Sequence, residues 1–249
     1  VNTGTFYLYG GSITGNNSNS DDNVNGGGVA LKGTYNANDT LFEMYGGTIT
    51  NNANTVNSYI NSADYSGGGV TLTNAAFNLY GGDITNNSSK LGGGVYVNGD
   101  TFNMYGGTLS GNTASKYGDN GGDGGGVYIA SGLFTMTAGT ITGNTANARA
   151  GGVCVADKFT MTGGNITKNS ATNGGGGVFI SGPSNTFTMS GGTITENTAA
   201  NGGGVYVYAR TNFNVSGNVS ITKNKQRSST ADNVYLYTYD ADGAASITI

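Results

Sequence analysis

Phe187-Thr188-Met189-Ser190-Gly191-Gly192-Thr193-Ile194-Thr195-Glu196-Asn197, followed by Gly202-Gly203-Gly204-Val205, is one complete copy of a phrase that recurs eight times in 249 residues. The copies align column by column. Phe6, Phe42, Phe77, Phe102, Phe134, Phe159, Phe187 and Phe213 open them, and a Leu, Met or Val follows two positions on. An aliphatic comes next, from Ile13 and Ile49 through Leu109 to Ile194 and Ile221. Three residues later stand Asn16, Asn52, Asn87, Asn112, Asn144, Asn169, Asn197 and Asn224. The Gly-rich segment delivers Val29, Val70, Val95, Val127, Val153, Val178, Val205 and Val234.

Successive phenylalanines lie 36, 35, 25, 32, 25, 28 and 26 residues apart. A floor near 25 with variable excess is the signature of a solenoid coil that tolerates loops. Inside each copy, apolar and polar residues alternate at period two, so the segments are strands with one face in and one face out. Gly at 47 of 249 positions, with Thr, Asn and Val throughout, disfavours helix. The expectation is an all-β, right-handed parallel β-helix of about eight coils, three short strands per coil, with Gly or Asn at the corners. Coils stacked at about 4.8 Å place like on like, so Phe, Met, Ile and Val form one core that no coil buries alone. An Asn in every coil suits an inward corner where stacked amides bond to the coils above and below. Asn also tolerates a left-handed backbone at such a corner.

The eighth copy drifts. Phe213-Asn214-Val215-Ser216-Gly217-Asn218-Val219-Ser220-Ile221 carries one extra residue, and Asp232-Asn233-Val234 replaces the Gly run. Degenerate terminal repeats act as caps. The chain reads as one β-helix repeat domain, 1–249, and as a piece of a longer array.

Composition removes several classes. The formal net charge is −4 with 10% charged residues, against a nucleic-acid partner. Residues 1–125 hold nine acids and three bases, the remainder five acids and seven bases. No 18-residue apolar run exists, so no membrane span is expected. Histidine is absent, which removes the commonest base and metal ligand and with them zinc, haem and triad chemistry. Cys154 is the one cysteine; it sits between inward Val153 and Val155, is expected to face outward, and has no histidine to activate it.

The pairing of Ile141-Thr142-Gly143-Asn144 with Gly174-Gly175-Gly176-Gly177-Val178 resembles the repeats of polymorphic outer-membrane proteins, which alternate Gly-Gly-Ala-Ile with Phe-x-x-Asn. It is more similar still to the adhesin-like β-helix repeats of large bacterial and archaeal surface proteins. The chain departs by Ile or Leu for Phe, Val for Ile and Gly for Ala. The resemblance implies an extracellular or cell-surface setting and a display or adhesive role. It carries no catalytic residues across.

Three places are candidates for function. Outward on the Gly-rich strand stand Tyr96, Tyr128, Phe179, Tyr206 and Tyr235, read as an exposed aromatic column for a glycan or protein ligand. A second column, Tyr9, Tyr45, Tyr80 and Tyr105, becomes Thr or Ser halfway along the chain. The third is the set of long corner loops, with Tyr59, Tyr65 and Tyr117 as ligand contacts. Asp21, Asp22, Asp64, Asp119 and Asp123 are candidate oxygen ligands for calcium, the one cofactor considered, although Asp119-Asn120-Gly121-Gly122-Asp123 lacks a full binding pattern. The leading expectation is a glycan- or protein-binding display module, not an enzyme. The alternatives are a polysaccharide lyase or hydrolase, against which the outward acids Glu43, Asp83, Asp157 and Glu196 are scattered, and a plain structural stalk. Thr-x-Thr pairs flanking the Ile column also admit an ice-binding face, but Ser12, Asp83 and Asn165 interrupt it.

Overall fold

The eight phenylalanines stack ring on ring. In the computed structural model Phe6 pairs in parallel register with Phe42, and the register continues through Phe77, Phe102, Phe134, Phe159 and Phe187 to Phe213, which faces Ile247. Their ring centroids repeat at 4.5 to 5.0 Å, the spacing of adjacent strands. Burying each ring contributes about 1.5–3 kcal/mol, and offset stacking about 0.5–1.5 kcal/mol more. The structure describes residues 3–18, 26–35, 39–55, 67–117, 120–238 and 246–248.

The chain is an all-β parallel solenoid. The Val and Ile columns hold the same register as the Phe column, from Val29–Val70 and Ile13–Ile49 onward. Four strands, among them Val95–Met104 and Thr186–Thr195, run unbroken around a corner and join the three ladders into one 21-stranded sheet. The ladders are parallel; among the described strands, only Lys116–Tyr117 and Asn120–Gly121, in a corner loop, pair antiparallel. Among the described residues no helix is long and apolar enough to cross a membrane.

Each coil carries one strand more than expected. The two residues after the corner Asn, such as Thr145–Ala146 and Ser170–Ala171, build an eight-stranded sheet of their own. Small side chains allow the sheet to close: Ala146, Ala171 and Ala199 form a separate buried cluster. The recurrent Asn-Thr-Ala or Asn-Ser-Ala was its signal in the sequence.

The Asn column is a continuous amide ladder. Asn144 Oδ1 accepts from the backbone and side-chain amides of Asn112, each at 2.9 Å. Its own Nδ2 donates to Leu109 O at 3.0 Å and to Asn169 Oδ1 at 2.9 Å. Every buried side-chain nitrogen and oxygen among the described residues has a partner. The left-handed residue of this corner is the one before the Asn, not the Asn itself: Asn51, Asn86, Lys168, Glu196 and Lys223 have φ between 55° and 59°. In the Gly run the need is space. A Cβ on Gly152 would stand 2.5 Å from Gly177 O and 2.9 Å from Ile166 Cγ2.

Candidate functional site

The first aromatic column is covered. Tyr96 and Phe179 are 3% exposed, and Tyr128, Tyr206 and Tyr235 are half-buried. They point away from the core as expected, but at Tyr96 and Phe179 outward is not exposed. In five coils the loop entering the Gly-rich strand turns through a left-handed residue three positions before the valine, at Gly92, Gly124, Ala150, Gly175 and Gly202, and folds back over the side chain four positions on. A Cβ on Gly124 would meet Tyr128 Cβ at 2.9 Å, and one on Gly175 would meet Phe179 Cβ at 2.7 Å. Cys154 lies in the one such turn built on alanine, Ala150 with φ 60°. Where the turn carries a methyl group, the residue beneath it is small. Cys154 is thus buried at 1% rather than outward and open, and burial pushes its thiol well above the ordinary range, with the Asp123 charge second.

Asp123 is likewise taken. Its carboxylate holds Arg149 through Nη2 at 2.6 Å and Nε at 3.2 Å, and accepts the Arg149 backbone amide at 2.8 Å. The guanidinium lies 5.1 Å from the centre of the Phe179 ring. Burial lowers the Arg149 pKa, but the bonds to Asp123 and its charge outweigh this and leave it raised. Burial, then Cys154 and Asp123, raises the Tyr128 phenol, and burial with three neighbouring tyrosines pushes Tyr206 up to about 12. Asp123 therefore acts as a latch beside a small second core of Ala150, Cys154 and Phe179, with both carboxylate oxygens bonded to Arg149. Asp21, Asp22, Tyr59, Asp64, Tyr65 and Asp119 lie outside the described residues, as does the side chain of Tyr117. Among the described residues no three acidic or cysteine side chains come together as a metal site.

The exposed aromatics are in the second column. Tyr9, Tyr45, Tyr80 and Tyr105 are between 41% and 71% exposed, with Tyr7 beside them. Their rings stack at 5.1, 4.8 and 5.1 Å with planes within 14° of parallel. Stacking covers the ring faces, so the strip presents edges and hydroxyls. Two residues earlier on the same strands, in register with Tyr7, stand Glu43, Asn78 and Asn103. Glu43 accepts from Tyr45 Oη at 3.1 Å, Asn78 Nδ2 at 3.3 Å and Tyr80 Oη at 3.5 Å. Asn103 Nδ2 donates onward to Asn78 Oδ1 at 2.9 Å. Partial loss of hydration, then Glu43, raises the Tyr45 and Tyr80 phenols above their ordinary range. Sequence reasoning had the tyrosines but treated Glu43 as an isolated acid. Its place two residues before Tyr45, aligned with Asn78 and Asn103, was the signal that one polar row runs beside the rings.

No family model matches the chain, and neither curated proteins nor solved structures yield a similar protein.

Proposed function

We propose that this chain is a binding module displayed at a cell surface, and that it holds an extended, hydroxyl-rich glycan along the tyrosine ladder. The observation that carries the reading is the row of phenol edges repeating at 4.8 to 5.1 Å beside Glu43, Asn78 and Asn103. That period is close to the length of one sugar ring in an extended polysaccharide. Donors and acceptors at each step suit hydroxyls, and apolar ring edges suit the C–H face of a sugar. The acid-rich half of the chain carries the ladder, which favours a neutral polymer over a polyanion.

A cleaving enzyme has less support. Glu43 is shared among three partners, and Glu196 stands 3.8 Å from Lys168. A structural spacer is favoured by the second half of the column, where Thr137, Thr162, Ser190 and Ser216 replace tyrosine.

A polysaccharide array, probed with and without calcium, tests the reading. Saturable binding that disappears in the Tyr45→Ser, Tyr80→Ser, Tyr105→Ser triple variant is expected. A blank array, or binding indifferent to the triple variant, returns the chain to the spacer reading. Calcium dependence would move the site to the corner loops.

A further inference from the structure

A cleft of about 330 Å³ opens where the Val strand turns into the Phe strand, apart from the tyrosine ladder. Thr34, Tyr35, Asn74, Gly99, Asp100 and Ser131 line it. Its origin is loop length. Phe42 follows Leu31 by 11 positions, whereas Phe77, Phe102 and Phe134 follow their counterparts Leu72, Val97 and Ile129 by 5. The longer corner projects Thr34 and Tyr35 beyond the tight corners of the next coils. Its base is pinned, because Gly33 N donates to Thr73 O at 2.9 Å and Thr34 N to Asp39 Oδ1 at 3.0 Å. The floor is backbone: Asn74 (φ 49°) and Gly99 (φ 110°) are left-handed, and a Cβ on Gly99 would strike Asn74 Oδ1.

The groups in the cleft differ from those of the ladder in one respect. Tyr35 is 76% exposed, and no other described ring stacks on it. Asp100 bonds to its own neighbour Thr101 and forms no ion pair among the described residues. Burial raises its pKa, with the Thr101 bonds opposing. An exposed aromatic ring lining the same concavity as a carboxylate, an amide and two hydroxyls, within the size range of small-ligand sites, is the chemistry that holds a sugar ring. A carboxylate without a cation disfavours an acidic sugar.

We propose that this cleft is a subsite for a single neutral pyranose, stacked on Tyr35 and hydrogen-bonded to Asp100 and Asn74. Its ligand class rests on the carbohydrate reading above, but the site does not depend on the ladder. On the strand Val95–Met104, Asp100 precedes Tyr105 by five residues, about 17 Å at 3.3 Å per residue. A glycan lying on the ladder can therefore place a branch or an end in the cleft.

Saturation-transfer NMR with methyl β-glucopyranoside, methyl β-galactopyranoside and methyl α-mannopyranoside tests this on the whole chain. At least one is expected to bind saturably. Tyr35→Ala should abolish the signal, and Asp100→Asn should weaken it about tenfold, the effect of one hydrogen bond to a charged group. Tyr80→Ser should leave it within about twofold, since that ring lies outside the cleft. Circular dichroism melts confirm that each variant folds. If no methyl glycoside binds, or if binding survives both Tyr35→Ala and Asp100→Asn, the subsite is overturned. The ladder reading is then judged separately, by the polysaccharide array.

Discussion

Asn233 Oδ1 accepts both the backbone amide and the side-chain amide of Asn224, at 3.1 Å each. Every earlier rung donates this pair of bonds to an asparagine one coil on; here the acceptor comes from nine residues further along the chain. Asp232 does the same for the Gly run, its Oδ2 accepting Gly202 N at 2.6 Å. The departure of Asp232-Asn233-Val234 from Gly-Gly-Gly-Val thus supplies side-chain acceptors for both ladders where earlier coils use the next asparagine and the next Gly-run carbonyl.

Position along the ladder should decide what an asparagine is worth. Asn144→Ala leaves the Asn112 backbone amide and one hydrogen of its side-chain amide without their acceptor and takes the Nδ2 donor from Leu109 O, while Asn169 Oδ1 keeps the backbone amide of residue 144; stability should fall by roughly 2–4 kcal/mol. Asn233→Ala frays one end only and should cost about 1–2 kcal/mol. Urea titrations of both variants check the ratio; equal losses would refute the ladder as the seat of the effect.

Removing Arg149 should hurt more than a surface pair would suggest. The Asp123 side chain is 5% exposed, so Arg149→Met leaves a nearly buried carboxylate with its main partner gone. We expect a loss of about 2–4 kcal/mol, below the full buried-pair value because Arg149 is 45% exposed. Adding Asp123→Asn should restore part of it, and a double-mutant cycle measures how much.

Asp100 should make the chain more stable in acid than its composition implies. Burial holds its folded pKa above the ordinary 3.8, so the native state binds more protons than the unfolded one between those two values. Stability from this group is then full below pH 3.8 and declines as pH rises through the folded pKa. Asp100→Asn should melt at or above the wild-type temperature at pH 7, with the difference closing near pH 3.5. A lower melting point at pH 7 would contradict the sign.

Glu43 ties two phenols to one charge. Glu43→Gln should lower the titration midpoints of Tyr45 and Tyr80, because the charge and one of the bonds that hold their protons weaken. Ultraviolet difference titration of the variant against wild type reads this directly, and unchanged midpoints would place the cause in the ring stack alone.

The core was legible because period-two alternation states which side chains face inward, and Phe42, Ile49 and Val70 are all fully buried. What alternation cannot state is what covers the other face. Tyr96 and Phe179 face outward yet are buried, since the turns at Gly92 and Gly175 fold over them. The left-handed turns carry a readable pairing: alanine at 150 accompanies cysteine at 154, where glycine at 92, 124, 175 and 202 accompanies an aromatic ring four positions on. The tyrosine strip was legible as a column, but its ring faces were not known to be mutually covered. The cleft was not legible, because it depends on how one long corner overhangs three short ones.

The parallel registers also determine how the molecule yields to load. Hydrogen bonds between coils run along the stacking axis, so tension applied between the two ends opens the end coil first and leaves its neighbours paired. Each coil released frees 25 to 36 residues, on the order of 90–125 Å of new contour length. Such a chain is expected to lengthen in discrete steps under a pull, one coil at a time, while the coils still closed stay paired.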